Sequence, residues 1–334
     1  MLRPEKVSEP EPASRARTLA LSRGMVLDGH DALGKAQPMQ LSEIGVIAVV
    51  GAGQMGAGIA QVCAQGGYRV LLADAALERA ESAKLGIDKQ LDRLQKKGKL
   101  TPDECAAASA RIEASTAEFA YPQADLVIEA ATENRELKLA LFEQADAALK
   151  PHAILASNTS SLSITLLAGH TKRADRVIGM HFMNPVPVMK LVELVRGLAT
   201  SDETLATVRA LAEALHKTVI VSHDRPGFLV NRMLIPFLNE ACFALEEGTG
   251  SAEDIDQGAR LGLNHPLGPL ELADLIGLDT VLAIARVLEH DFGDPKYRAP
   301  ILLKNLVAAG HLGRKTKRGF YTYDEQGAKV RPLP

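Results

Sequence analysis

IGVIAVVGAGQMGAG, residues 44–58, decides the fold. IGVIAVV (44–50) is a short β-branched run, and Gly51, Gly53 and Gly56 follow at once in GxGxxG order. Met55, Ile59, Val62 and Cys63 then fall at i, i+4, i+7 and i+8, the spacing of one helix face. Tyr68 to Ala73 reads as a second strand and ends at Asp74, 23 residues beyond Gly51. Strand, glycine turn, helix, strand, acid is the order that dinucleotide binding requires. Gly51 would permit the tight turn, Gly53 the close approach of a pyrophosphate, and Gly56 the packing of helix on strand. The N–H groups at the helix start, where Gln54 and Met55 stand, would face the phosphates. Asp74 would bind the ribose hydroxyls. Its carboxylate would repel a 2′-phosphate, and Ala75 and Ala76 supply no arginine to bind one, so NAD is expected over NADP.

The wider composition fits this start. A chain of 334 residues is too long for one small core, which implies two domains. The net charge of −3 gives no global attraction to nucleic acid or to an anionic membrane. Cys63, Cys105 and Cys242 are scattered, without CxxC spacing, so neither a zinc site nor a disulfide framework is expected, and a reducing, cytoplasmic setting is. No segment approaches the ~20 apolar residues of a membrane span. Residues 1–42 mix charges, prolines and polar groups and read as a flexible tail.

The remainder of the first domain alternates as a doubly wound sheet should. Residues 77 to 97 form an amphipathic helix with Ala80, Ile87, Leu91 and Leu94 inward, and Thr101, Pro102 and Glu104 start another with a capping box. Strands at Asp125 to Ala130 and Ala153 to Ala156 flank a helix from about Arg135 to Leu149. Both strands end in polar clusters, ATEN and SNTSS. In an open parallel sheet ligands bind at the carboxyl ends of the strands, so Glu133, Asn158, Ser160 and Ser161 sit where a nicotinamide or substrate would lie. Ser163 reads as a helix cap.

RVIGMHFMNPVPVMKLVELV, residues 176–195, carries the chemistry. Val177 to Met180 is a buried strand closed by His181; Asn184, Pro185 and Pro187 break it, and Lys190 to Val195 returns with Glu193 alternating against leucine and valine. Glu193 follows His181 by 12 residues, so a return across the turn would let the carboxylate accept the second N–H of the imidazole. Such a pair is the minimal apparatus of a general base, worth roughly 10²–10⁴-fold in rate. Taken alone, the same residues also suit a core histidine satisfied by a carbonyl. His265, in a proline-broken loop, reads as structural; His216 and His223 have no acidic motif beside them. No cluster has the ligand spacing of a metal site.

A strand at Thr218 to Ser222 precedes a polar junction, His223 to Gly227, and everything beyond reads helical. Phe228, Ile235, Leu238, Cys242 and Leu245 share a face of a helix that contains Pro236 and stops at Gly248; Ser251 caps the next. The expected fold is therefore α/β, a Rossmann-type doubly wound sheet domain over residues 43–222 followed by an all-α C-terminal domain over 223–330. So small a helical domain with so much apolar surface is expected to bury part of it against the sheet domain or in a homodimer.

GAGQMGAG with Asp74, SNTSSL, HFMNPVPVMKLVE, DRPGFLVNR, NHPLGPLELADLIGLD and KTKRGFYTY together resemble the L-3-hydroxyacyl-CoA dehydrogenase family, in its short bacterial form, from about Val46 to Tyr323. The resemblance implies an NAD-dependent oxidation of a short-chain (S)-3-hydroxyacyl-CoA, such as 3-hydroxybutyryl-CoA, to the 3-oxoacyl-CoA. It implies His181 as catalytic base with Glu193 its partner, and Ser160 and Asn231 as contacts of the substrate hydroxyl or thioester carbonyl. Glu133, Lys138 and Asn158 match cofactor-contacting positions, Asn184 lines the nicotinamide end, and Lys315 matches a lysine that reaches the cofactor from the second domain. Lys97 matches a lysine on coenzyme A; Gln90 stands where some members carry serine. Two other readings share the scaffold: a dehydrogenase of a free hydroxy acid or sugar acid, and an idle NAD- or CoA-binding protein.

Overall fold

The computed structural model describes residues 40–332. The expected N-terminal tail lies outside the described residues except at its end, where Leu41–Glu43 make a short helical turn rather than loose chain.

Eight strands form one sheet: β1 (Val46–Val50), β2 (Arg69–Ala73), β3 (Ile112–Ser115), β4 (Leu126–Glu129), β5 (Ile154–Ser157), β6 (Val177–Phe182), β7 (Leu191–Arg196) and β8 (Thr218–His223). Their order is β3-β2-β1-β4-β5-β6-β7-β8, so the chain reverses direction across the sheet beside β1, the switch point where such sheets bind ligands. Alternate residues of β1 feed different cores. Ile47 and Val49 join the helices Gln54–Gln65, Pro102–Ala110 and Asp202–Ala214 on one face. Ala48 and Val50 join Phe142 and Ala145 of the helix Arg135–Ala148 on the other. With both faces buried, an apolar run alone cannot fix its register. A polar tie contributes: Asp125, just before β4, accepts the N–H groups of Gly45 and Val46 at 2.9 Å each, at the start of β1.

All neighbouring strands run parallel except β6 and β7. The eight residues 183–190 between them hold no helix and are too few for a parallel crossover, so the chain must return antiparallel. In that register His181 pairs directly with Glu193.

The second region is built on the helix Val230–Glu246, which runs unbroken through Pro236, with helices Ala252–Gly262, Pro269–Ile276, Leu278–Phe292 and Ile301–Ala308 around it. Two details depart from expectation. Phe228 is not on that helix face: it sits before the helix at φ 51° and packs into the sheet's core, because the turn Arg225 to Phe228 folds it back. The chain also does not stay helical to the end. Tyr321–Tyr323 (β9) and Lys329–Pro332 (β10) pair antiparallel around Gly327, since alternating tyrosines with a glycine turn between suit a hairpin better than a helix.

Candidate active site

The glycine turn shows what its residues are for. Gly51 adopts φ +106°, and a Cβ there would lie 2.6 Å from the backbone of Ala130 and Ala131; at Gly56 it would strike the Gly51 carbonyl. At Gly53 a Cβ would meet no protein atom within 4 Å, so the space that glycine keeps open faces outward. It opens on a cavity of about 790 Å³ lined by Gly51, Ala52, Gly53, Asp74, Ala130 and Thr132 among others, all drawn from residues 50–144. Asp74 stands at the end of β2, where its carboxylate accepts the Ala52 N–H at 2.8 Å and the Ala75 N–H at 2.9 Å. Unpaired first-turn N–H groups, an open glycine and a strand-end carboxylate fit the pyrophosphate and adenosine ribose of a dinucleotide.

Two loops at the carboxyl edge of the sheet are cross-braced by charge. The Glu129 carboxylate ends β4 and is buried with Lys138, 2.6 Å away; it also accepts the Ser157 hydroxyl at 2.6 Å and the Ala131 N–H at 2.7 Å. Lys138 reaches on to Glu133 at 3.4 Å. Glu133 in turn accepts the hydroxyls of Thr159 and Ser161 and the N–H groups of Ser160 and Ser161. Burial works against the Glu133 charge, yet Lys138 and the two hydroxyls outweigh it and hold the carboxyl below its usual range. Lys138 is thus placed beneath the loops rather than on the cavity surface, because its ammonium is more strongly held by two carboxylates and the Ala131 carbonyl. Asn158 accepts the Phe182 N–H at 2.9 Å, which sets the SNTSS loop beside the end of β6.

There the His181 Nδ1 lies 3.1 Å from a Glu193 oxygen, the ring 7% exposed and the glutamate fully buried. A carboxylate can only accept, so Nδ1 carries a proton, and in the neutral ring Nε2 is the nitrogen with the free lone pair. The other Glu193 oxygen accepts the Leu229 N–H at 2.6 Å, and Phe228 stands edge-on to the imidazole at 5.9 Å. The segment that begins the helical region is therefore pinned to the His181–Glu193 pair. Asp224 pins it again, accepting the Ser163 hydroxyl and the N–H groups of Ile164 and Thr165. Asn231, in the first turn of the helix that follows, is buried. Among the described residues no partner bonds the His181 Nε2, the Ser160 hydroxyl or the Asn231 amide.

A second groove, about 430 Å³, runs between the helices Gln54–Gln65 and Leu77–Lys96 and the loop Asn184 to Val188. Asn184 accepts from Gln54 Nε2 at 3.1 Å, and Gln90 lines the far wall. Lys217 anchors the loop from behind: its buried ammonium donates to the carbonyls of Val186 at 2.6 Å and Met189 at 2.8 Å, and burial lowers its pKa. Lys97 is exposed at the C-terminal end of the second helix. Lys315 is not brought to the dinucleotide cavity. Both Asp279 oxygens hold it at 2.6 Å within the helical region, and that ion pair fixes where its long side chain points. His265 stacks on Phe237 at 4.9 Å, in keeping with a structural role.

Glu129, Thr159, Arg79, Asp224 and Lys217 escaped the reading of the sequence. Only Glu129 left a signal there, an acid closing an otherwise apolar strand.

A dinucleotide-binding sheet with a histidine and carboxylate at its carboxyl edge, and a helical region fastened beside them, defines a two-domain NAD-dependent dehydrogenase. Comparison with known proteins narrows the class. The NAD-binding domain of 3-hydroxyacyl-CoA dehydrogenases matches residues 46–225 and their C-terminal domain matches residues 227–323, so the chain belongs to the 3-hydroxyacyl-CoA dehydrogenase family. A probable 3-hydroxybutyryl-CoA dehydrogenase of Bacillus subtilis is 52% identical over 284 residues, covering 85% of this chain and 99% of the relative. The 3-hydroxybutyryl-CoA dehydrogenase of Bradyrhizobium diazoefficiens is 50% identical, covering 86% and 97%. The crystal structure of (S)-3-hydroxybutyryl-CoA dehydrogenase from Ralstonia eutropha superposes with a TM-score of 0.82 at 53% identity, over 84% of this chain and all of that one.

Proposed function

We propose that the chain oxidises the C3 hydroxyl of a short-chain (S)-3-hydroxyacyl-CoA, with 3-hydroxybutyryl-CoA the preferred substrate, reversibly and with His181 as the base. The observation that carries this is the His181–Glu193 pair at 3.1 Å, with Nε2 unengaged among the described residues. NAD bound along the carboxyl edge supplies the acceptor for the C3 hydride. His181 Nε2 takes the hydroxyl proton, and the buried Glu193 carboxylate faces the positive charge that then appears on the ring. In the other direction the charged ring returns that proton to the C3 oxygen. The Ser160 hydroxyl and the Asn231 amide, neither bonded among the described residues, hold the oxygen or the thioester carbonyl. Glu133, Asn158 and Lys138 act by fixing the loops that bear these groups.

The groove beside Asn184 suits the extended arm of coenzyme A. Lys97 lies seven residues past Gln90, two helical turns and about 10 Å along the same face, where a phosphate at the end of that arm would need a cation. Exposed Met233, Leu261, Leu263 and Ile301 in the helical region favour a homodimer. Three free, buried thiols suit a reducing compartment such as the cytoplasm, and no helix among the described residues is long and apolar enough to cross a membrane.

The test follows NADH consumption with acetoacetyl-CoA against free acetoacetate. Rapid turnover of the thioester alone supports the proposal; equal rates with the free acid would replace it by a free hydroxy-acid dehydrogenase.

A further inference from the structure

Arg79 enters the dinucleotide cavity from the first turn of the helix Leu77–Lys96, and Ser82 lines the same cavity one turn later. The Arg79 guanidinium lies 3.5 Å from Asp74 Oδ1. The Ala75 N–H points at that same oxygen from 2.9 Å, and the Ala52 N–H at the other from 2.8 Å. Three donors therefore converge on one carboxylate at the adenosine end of the site. That is the donor set an anion needs, and in this chain the anion is the protein's own side chain.

We propose that Arg79, with Ser82 and the Ala75 N–H, forms a seat for the 2′-phosphate of a phosphorylated adenosine, and that Asp74 keeps it shut. Asp74 acts twice, by its charge and by consuming the donors. Cofactor choice then depends on a single carboxylate, because the cation that a 2′-phosphate requires is already in place. Sequence order hides this. The residues directly after Asp74 are alanines, and Arg79 comes into range only because the helix turns it back over the strand end.

The test is equilibrium binding by calorimetry of 2′,5′-ADP against 5′-ADP, with no turnover involved. In Asp74→Ser, which removes the carboxylate, the preference for 2′,5′-ADP over 5′-ADP should rise roughly ten- to a hundredfold over the parent chain. Adding Arg79→Met should remove that gain. Arg79 is 75% exposed, so the gain should also shrink as salt is raised. No gain in Asp74→Ser while 5′-ADP still binds, or a gain that survives the loss of Arg79, overturns the proposal. Asp74→Asn, which removes the charge and exchanges one acceptor oxygen for an NH2 donor, is the second arm should the serine variant fold poorly, and the same two outcomes decide it.

Discussion

Glu193 and Asp274 are both buried carboxylates that gather donors from distant parts of the chain, and they end in opposite states. Asp274 accepts the Phe320 and Tyr321 N–H groups and the Tyr323 hydroxyl, all at 2.9 Å, and fastens the final hairpin to the helical region. Each of its partners is consumed within the protein. Glu193 accepts the Leu229 N–H and the His181 ring N–H, and the ring's other nitrogen has no partner among the described residues. A closed buried network specifies one packing; a network left open at one atom presents that atom to a ligand. The difference is in what remains unpaired, and burial alone does not reveal it.

The comparison breaks first at the open network. Replacing His181 with Gln should lower turnover with acetoacetyl-CoA by roughly 10²–10⁴-fold. Glu193→Gln should cost about a hundredfold or more, because its one amide oxygen can serve His181 or Leu229 but not both, and the ring then loses its fixed tautomer. Both variants should keep NADH binding, measured by fluorescence titration; unchanged turnover in either would make the pair structural.

At the closed network the loss should appear as stability. Asp274→Ala strands two N–H groups and a hydroxyl, for about 3 kcal/mol or more at roughly 1 kcal/mol or more each, read from urea denaturation of the full chain. The same carboxyl gives a pH signature. Burial raises its pKa to about 6 against the pull of its three donors. The native state then holds the proton more tightly than the unfolded chain does. The stability this contributes is complete below about pH 4 and lost as pH rises through about 6. Over that window Tm should fall with pH more steeply in the parent chain than in Asp274→Asn, which has nothing to titrate there. Equal slopes would remove Asp274 as the source. The smallest change, Tyr323→Phe, deletes one hydrogen bond and should cost about 1 kcal/mol with turnover untouched. A marked loss of turnover would show that the closed network also serves the site.

Much of the site was legible because its pieces are local. The GxGxxG turn, Asp74 and the 12-residue interval from His181 to Glu193 depend on strand and helix periods that neighbouring residues set. Ser160 and Asn158 could be placed by the rule that ligands meet strand ends. Where a long side chain ends is less legible. The family resemblance assigns Lys138 and Lys315 to the cofactor, and the sequence does not announce that one is shared between Glu129 and Glu133 and the other held by Asp279. A lysine's flexible stem lets its charge settle among several acids, and which acid is near is a matter of packing. Phe228 failed for a related reason: apolar spacing assigns it to a helix face, while a left-handed backbone angle turns it into the neighbouring core.

The sequence by itself determined the strand, turn, helix, strand order around the glycine turn and which histidine had an acid at strand-pairing distance, since these follow from short-range period and chain direction; β3, the helix Asp202–Ala214 and the final hairpin were not legible in it. Only the tertiary structure decided that Glu193 also holds the helical region by Leu229, that Lys217 braces the loop Asn184 to Met189, and that Arg79 lies over Asp74. Those contacts join residues 36, 31 and 28, and 5 positions apart. The longer spans have no period to announce them and the short one crosses a turn, so both exist only once the elements have packed.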